Sequence, residues 1–143
     1  MSDIYIVGFD GTDASHRAAA LASGLAKTSR ARVHLVYVLE WSPYSFLTQE
    51  ELAERHKRRE EELKRAAEIV EPVAKDLAAG GVQVTSEVRY GHAGELFCQI
   101  AEKLAARQIF IGRKGSRSLA DRLLGGLAIT LVQASPVPVT VVP

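Results

Sequence analysis

The chain has 143 residues, 47% of them hydrophobic, with 18 Lys and Arg against 17 Asp and Glu. Residues 1–143 therefore read as one domain, long enough to bury a core without cross-links, and the formal net charge of +1 argues against nucleic acid or an acidic membrane as a bulk electrostatic partner. The single cysteine, Cys98, excludes an internal disulfide and fits a reducing, cytoplasmic setting. Met1-Ser2-Asp3 lacks the basic start of a signal peptide. No apolar run approaches the roughly 20 residues that span a bilayer, so no membrane insertion is expected.

Ile4–Val7 is continuously apolar, as in a strand of a parallel sheet buried on both faces. Gly8–Asp13 is a turn. Thr12 or Asp13 caps a helix whose Ala14, Ala18, Leu21, Ala22 and Leu25 recur at helical spacing. Its many small residues suit close packing on a sheet. Val33–Leu39 is the second strand, interrupted by His34, a core or sheet-edge histidine with one nitrogen satisfied. Trp41–Phe46 is a loop with three aromatics.

Thr48 or its neighbour opens a long helix with Glu50 and Glu51 in its first turn. Residues 50–64 are dense in matched charges: Glu51 with Arg55, Glu54 with Arg58, and Glu61 with Arg65. The apolar stripe begins only at Leu63 and continues through Ala67, Val70, Ala74 and Leu77. The first half should project past the sheet, and Pro72 should bend or interrupt the second half. Gly80-Gly81 ends the helix. Val82–Tyr90 is a third strand, at a sheet edge by its alternating polarity. His92 precedes a helix with Phe97, Ile100, Ala101 and Leu104 on its inner face and Cys98 beside it.

Gln108–Ile111 is the fourth strand, and Leu127–Ala134 a short helix. Between them lies Gly112-Arg113-Lys114-Gly115-Ser116-Arg117, continuing to Gly125-Gly126. A glycine-rich loop between strand and helix can aim backbone N–H groups at an anion, and the helix N-terminus adds positive charge. The loop reads as a phosphate cradle. Val137–Val142 is the last strand, placed at an edge by Pro136 and Pro138. An apolar edge strand needs cover, which predicts a homodimer through Val139, Thr140, Val141 and Val142. Alternating strands and helices give an α/β, doubly wound, mostly parallel sheet, with ligands bound at its reversal point. If the first and fourth strands are neighbours, Asp10 and Gly112 share that crevice.

Val7–Thr12 (Val-Gly-Phe-Asp-Gly-Thr), the spacing Gly112-x2-Gly115-x9-Gly125 and the closing Pro-Val-Pro-Val-Thr-Val-Val (136–142) resemble the universal stress protein family over essentially the whole chain. The resemblance implies a five-stranded parallel sheet of order 3-2-1-4-5, of the adenine-nucleotide alpha-hydrolase-like kind. It also implies a cytoplasmic homodimer with a regulatory or stress-response role and, in one branch, bound ATP. It places Asp10 by the adenosine, Val38 on the adenine, Gly112 at the ribose, Gly115 at the phosphates and Gly125 at the start of the receiving helix. Gly11, Thr12, Arg113, Ser116, Gly126 and Leu127 complete the implied nucleotide-binding set.

The ATP-binding branch carries Ser or Thr where this chain has Gly126. The ligand is therefore read as ATP or AMP, with or without Mg, and a simple anion stays open. The alternative is a dimeric interaction protein of the same fold that binds no nucleotide and works with a regulatory partner. Phe9–Thr12 also resembles part of the Asp-x-Asp-Gly-Thr motif of haloacid dehalogenase-type phosphatases. Gly8 stands where their nucleophile would be, so that chemistry is excluded. No metal-ligand spacing and no catalytic base are evident, which leaves at most slow ATP hydrolysis.

Overall fold

The computed structural model describes residues 3–40, 48–113 and 126–143. Its elements run β1 (Ile4–Gly8), α1 (Asp13–Ser29), β2 (Arg32–Glu40), α2 (Gln49–Ala79), β3 (Gln83–Gly91), α3 (Ala93–Lys103), β4 (Gln108–Gly112), α4 (Gly126–Ala134) and β5 (Val139–Val142). The strands form one sheet of order β3-β2-β1-β4-β5, parallel at every pairing. Order reverses between β1 and β4, as expected.

Because side chains alternate along a strand, the sheet builds a core on each face. Tyr5, Val7, Val33, Leu35 and Phe110 face α1 and α2. Ile6, Val36, Ile109 and Ile111 face α3 and α4. Both faces of the central strands are covered: β1 and β4 each bury three consecutive residues.

The inner face of α1 holds Ala14, Ala18 and Ala22 as expected but not the two leucines. It buries Ala14, Ser15, Ala18, Ala19, Ala22, Ser23 and Ala26, while Leu21 and Leu25 stay 43% exposed. The alanines and serines let the helix axis come close to the sheet, and the longer leucines rotate to the flank. At α3 the expected inner face holds, with Leu104 only half-buried.

Helix α2 runs 31 residues without interruption, a length of about 46 Å. Strand β2 has nine residues and spans about 30 Å. The excess of roughly ten residues is the amino-terminal half, where residues 49–60 are exposed except for half-buried Arg55 and Arg59. A capping box fixes that end: Glu51 N–H donates to Thr48 Oγ1 and Thr48 N–H to the Glu51 carboxylate. The expected break at Pro72 is not observed. Pro72 and Glu68 are both exposed, so the one lost backbone bond falls where water can replace it.

His34 also departs from expectation. It is 8% exposed, and both ring nitrogens are bonded: Nδ1 to Thr85 Oγ1 at 2.6 Å and Nε2 to Glu87 Oε2 at 2.7 Å. The parallel register sets Thr85 opposite His34, and Glu87 follows two residues later on the same face. Edge strand β3 thus carries the polar partners that make a histidine tolerable beside the core.

Candidate functional site

A cavity of about 100 Å³ opens at the carboxyl ends of β1, β2 and β4. Gly8, Phe9 and Asp10 approach from β1, Val36, Val38 and Glu40 from β2, and Ile111, Gly112 and Arg113 from β4. Ala93 and Phe97 of α3 and Leu127 and Ala128 of α4 close the other side. The sheet reversal makes this crevice: α1, which follows β1, packs on one face and α4, which follows β4, on the other, so the strand ends stay open between them.

Close backbone approaches shape the walls. A Cβ on Gly8 would meet Phe97 Cζ at 2.9 Å and Ile111 Cγ2 at 3.0 Å. The absent side chain therefore lets Phe97 lie against the end of β1. A Cβ on Gly112 would meet the Ala14 carbonyl carbon and the Ser15 nitrogen, each at 2.6 Å. Gly112 lines the cavity, yet its missing side chain faces the first turn of α1. That contact holds the end of β4 to the start of α1, and with it Arg113 near Asp10.

The turn after β1 organises itself around Asp10. Its Oδ1 accepts from the Thr12 N–H at 3.0 Å and from the Thr12 hydroxyl at 2.6 Å. The Thr12 hydroxyl oxygen in turn accepts from the Ser15 N–H at 3.2 Å and caps α1. Gly11 supplies the left-handed backbone of the turn, with φ +82°, a region a side chain disfavours. Gly11 and Thr12 therefore shape the turn from outside the cavity lining, while Asp10 reaches the lining itself.

Of the expected nucleotide set, the structure gathers Asp10, Val38, Gly112, Arg113 and Leu127 around one cavity. Gly126 is the exposed first residue of α4. Gly115, Ser116 and Gly125, like the aromatic loop Trp41–Phe46, lie outside the described residues. Val139–Val142 are half-buried on edge strand β5; none lines the cavity, although the Val142 carbonyl accepts from the Arg113 N–H at 2.7 Å. His92 caps α3 by accepting from the Glu95 N–H at 3.4 Å and is exposed.

Sequence reasoning missed Val36 and Glu40. Their signal was the two-residue period through Val38, which puts all three on one face of β2. Phe97, legible in the sequence only as part of the inner face of α3, is also a wall of the cavity.

The cavity combines an apolar wall with a few charged groups. Val36, Val38, Phe97 and Ile111 give apolar surface. Asp10 and Glu40 contribute carboxylates, and Arg113 a guanidinium that makes no ion pair among the described residues. No group of three His, Cys, Asp or Glu side chains suited to a metal ion occurs among the described residues. Cys98 lies off the cavity beside Ala134, and burial, reinforced by Glu102, pushes its thiol up from the ordinary value. That disfavours the nucleophilic thiolate.

The universal stress protein family model matches residues 1–143. The chain belongs to the universal stress protein family. A relative in the family, universal stress protein MJ0531 of Methanocaldococcus jannaschii, is 31% identical over 140 residues, covering 96% of this chain and 79% of its own length. A universal stress protein solved in complex with cAMP superposes with a TM-score of 0.71 at 20% identity, over 99% of this chain and 96% of that one. The universal stress protein from Archaeoglobus fulgidus in complex with dAMP superposes with a TM-score of 0.64 at 16% identity, over 100% and 98%. At those identities the two structures establish for this universal stress protein the shared fold. No helix among its described residues is long and apolar enough to cross a membrane.

Proposed function

We propose that this universal stress protein binds an adenine nucleotide, ATP or AMP, in the cavity at the ends of β1 and β4. The base lies on Val36 and Val38, the ribose beside Asp10 and Gly112, and the phosphates run toward Arg113 and the first turn of α4. The polarity of the cavity carries this reading: an apolar wall at β2, a cation at β4 and a carboxylate between them. An apolar pocket with a few convergent polar groups is the ordinary form of a small-molecule site. The cAMP and dAMP complexes of the two structural neighbours support adenine as the base.

Gly115, Ser116 and Gly125 complete the phosphate side in this proposal. The backbone N–H groups of Gly126 and Leu127 act there in place of a Ser or Thr hydroxyl. Mg would accompany ATP and offset its phosphate charge. The proposal extends to a cytoplasmic stress-response role exercised as a homodimer joined through Val139, Thr140, Val141 and Val142 of β5.

Thermal unfolding with AMP and ATP tests the reading. Ligand at one hundred times its dissociation constant stabilises by about 2.7 kcal/mol. The Asp10→Asn variant keeps an acceptor for Thr12 and loses the charge, so it should fold normally and bind more weakly. The absence of any shift at millimolar nucleotide would leave the interaction-protein alternative standing instead. Sedimentation checks the dimer, and a monomer at micromolar concentration counts against it.

A further inference from the structure

Glu40 ends β2 and is the carboxylate of the cavity to which the proposal above gives no role. Side chains along β2 alternate, so Val36, Val38 and Glu40 form one row on the face toward α3, with Glu40 outermost. All three line the cavity. Other carboxylates are engaged: Asp10 with Thr12, Glu87 with His34 and Arg89, Glu62 with Tyr90. The Glu40 carboxylate makes no hydrogen bond or ion pair among the described residues.

Position decides what this acceptor meets. Strands β2 and β4 flank β1, which separates their ends by roughly 10 Å at the usual strand spacing. Glu40 and Arg113 therefore stand at opposite ends of the cavity. A phosphate is attracted to Arg113 and repelled by Glu40, so the base occupies the Glu40 end, flat on the valine row. A carboxylate at the end of that row accepts hydrogen bonds and donates none. It rewards a ring that carries an N–H at its outer edge.

We propose that Glu40 determines base specificity by accepting a hydrogen bond from the exocyclic amino group of adenine. The inference rests on the nucleotide reading and adds a named selector to it. Selection follows because a site built to hydrogen-bond a donor loses affinity for an analogue without it. Glu40 is exposed at the cavity mouth, so water competes and the discrimination is moderate, about tenfold, the effect of one charge-assisted bond at a wet site.

The test titrates the full chain with AMP and with purine riboside 5′-monophosphate, which lacks only the amino group. Wild type should prefer AMP by about tenfold. Glu40→Ala should bring the ratio to about one, and Glu40→Gln, which keeps a neutral acceptor, should fall between. Affinity for the deaminated analogue should be equal or higher in Glu40→Ala, because only a repulsion of the phosphate is removed. Binding of both nucleotides by Glu40→Ala with the wild-type ratio overturns the role of Glu40 and leaves the nucleotide site intact. A wild type that binds neither nucleotide overturns the underlying site, and the selector with it.

Discussion

Replacing Gly112 by alanine should destabilise the protein more than any other single-methyl addition near the site. The added Cβ would sit 2.6 Å from both the Ala14 carbonyl carbon and the Ser15 nitrogen, and 2.9 Å from Ala14 Cβ. Relaxed contacts of this kind lie near 3.5–4.0 Å, so the overlap is about 1 Å. Two of the three atoms are backbone in the first turn of α1 and cannot rotate away. Overpacking of a tight core costs about 1–3 kcal/mol, and the fixed backbone puts this case at about 3 kcal/mol. For a domain of this size that lowers the melting temperature by roughly 10 °C. Gly24→Ala is the matched control. It lies inside α1 with nothing within 4 Å of an added Cβ, so it should stabilise by about 0.5–1 kcal/mol through helix propensity alone. Urea unfolding of both variants gives the comparison. A Gly112→Ala protein within about 0.5 kcal/mol of wild type, the range of neutral surface changes, would refute the close approach of β4 to α1. The variant should also bind nucleotide more weakly, since that approach aligns Arg113 with Asp10.

Thr12→Ala removes both the cap of α1 and a donor to Asp10, and should cost about 1 kcal/mol in urea unfolding; Thr12→Ser should recover most of it, and equal losses in both variants would contradict the hydroxyl's role. Tyr90 donates its hydroxyl to Glu62 at 2.9 Å, and the Arg59 guanidinium stacks 4.4 Å from the ring centre. That hydrogen bond, then burial and the Glu62 charge, hold the phenol above its usual 10.0, with Arg59 and Arg55 opposing. A phenol raised in the folded state contributes stability that is present below pH 10 and lost as pH rises through its folded value. The stability gap between wild type and Tyr90→Phe should therefore narrow in alkali. The tyrosinate absorbance lost in Tyr90→Phe should titrate above the ordinary tyrosine range, and a midpoint at or below that range would contradict the bond to Glu62.

The elements that sequence periodicity reveals are those whose burial follows a single period. Strands β1 and β4 each carry an unbroken apolar run because both faces are covered there, and α3 shows its inner face at 3.6-residue spacing. The failures share a cause, which is partner geometry. Leu21 and Leu25 carry the strongest helical signal in α1, yet the sheet takes the alanine face because it fits closer. Pro72 would stop a buried helix, but α2 carries it on the solvent side. His34 reads as half-satisfied because its second partner, Glu87, is reached only through the β2–β3 register. At the site, Asp10, Val38, Gly112 and Arg113 were legible from turn chemistry and family resemblance. Periodicity puts Glu40 on the face of Val38 and Phe97 on the inner face of α3, but that these faces meet in one cavity follows only from how three strand ends come together.

Nitrogen-15 amide shifts recorded while AMP is added test the central claim most directly. Saturable changes are expected at Phe9, Asp10, Val38, Glu40, Gly112, Arg113 and Ala128, with β3 residues 83–87 unmoved. Saturable changes confined to the exposed half of α2 or to β5, or none at millimolar AMP, would contradict it.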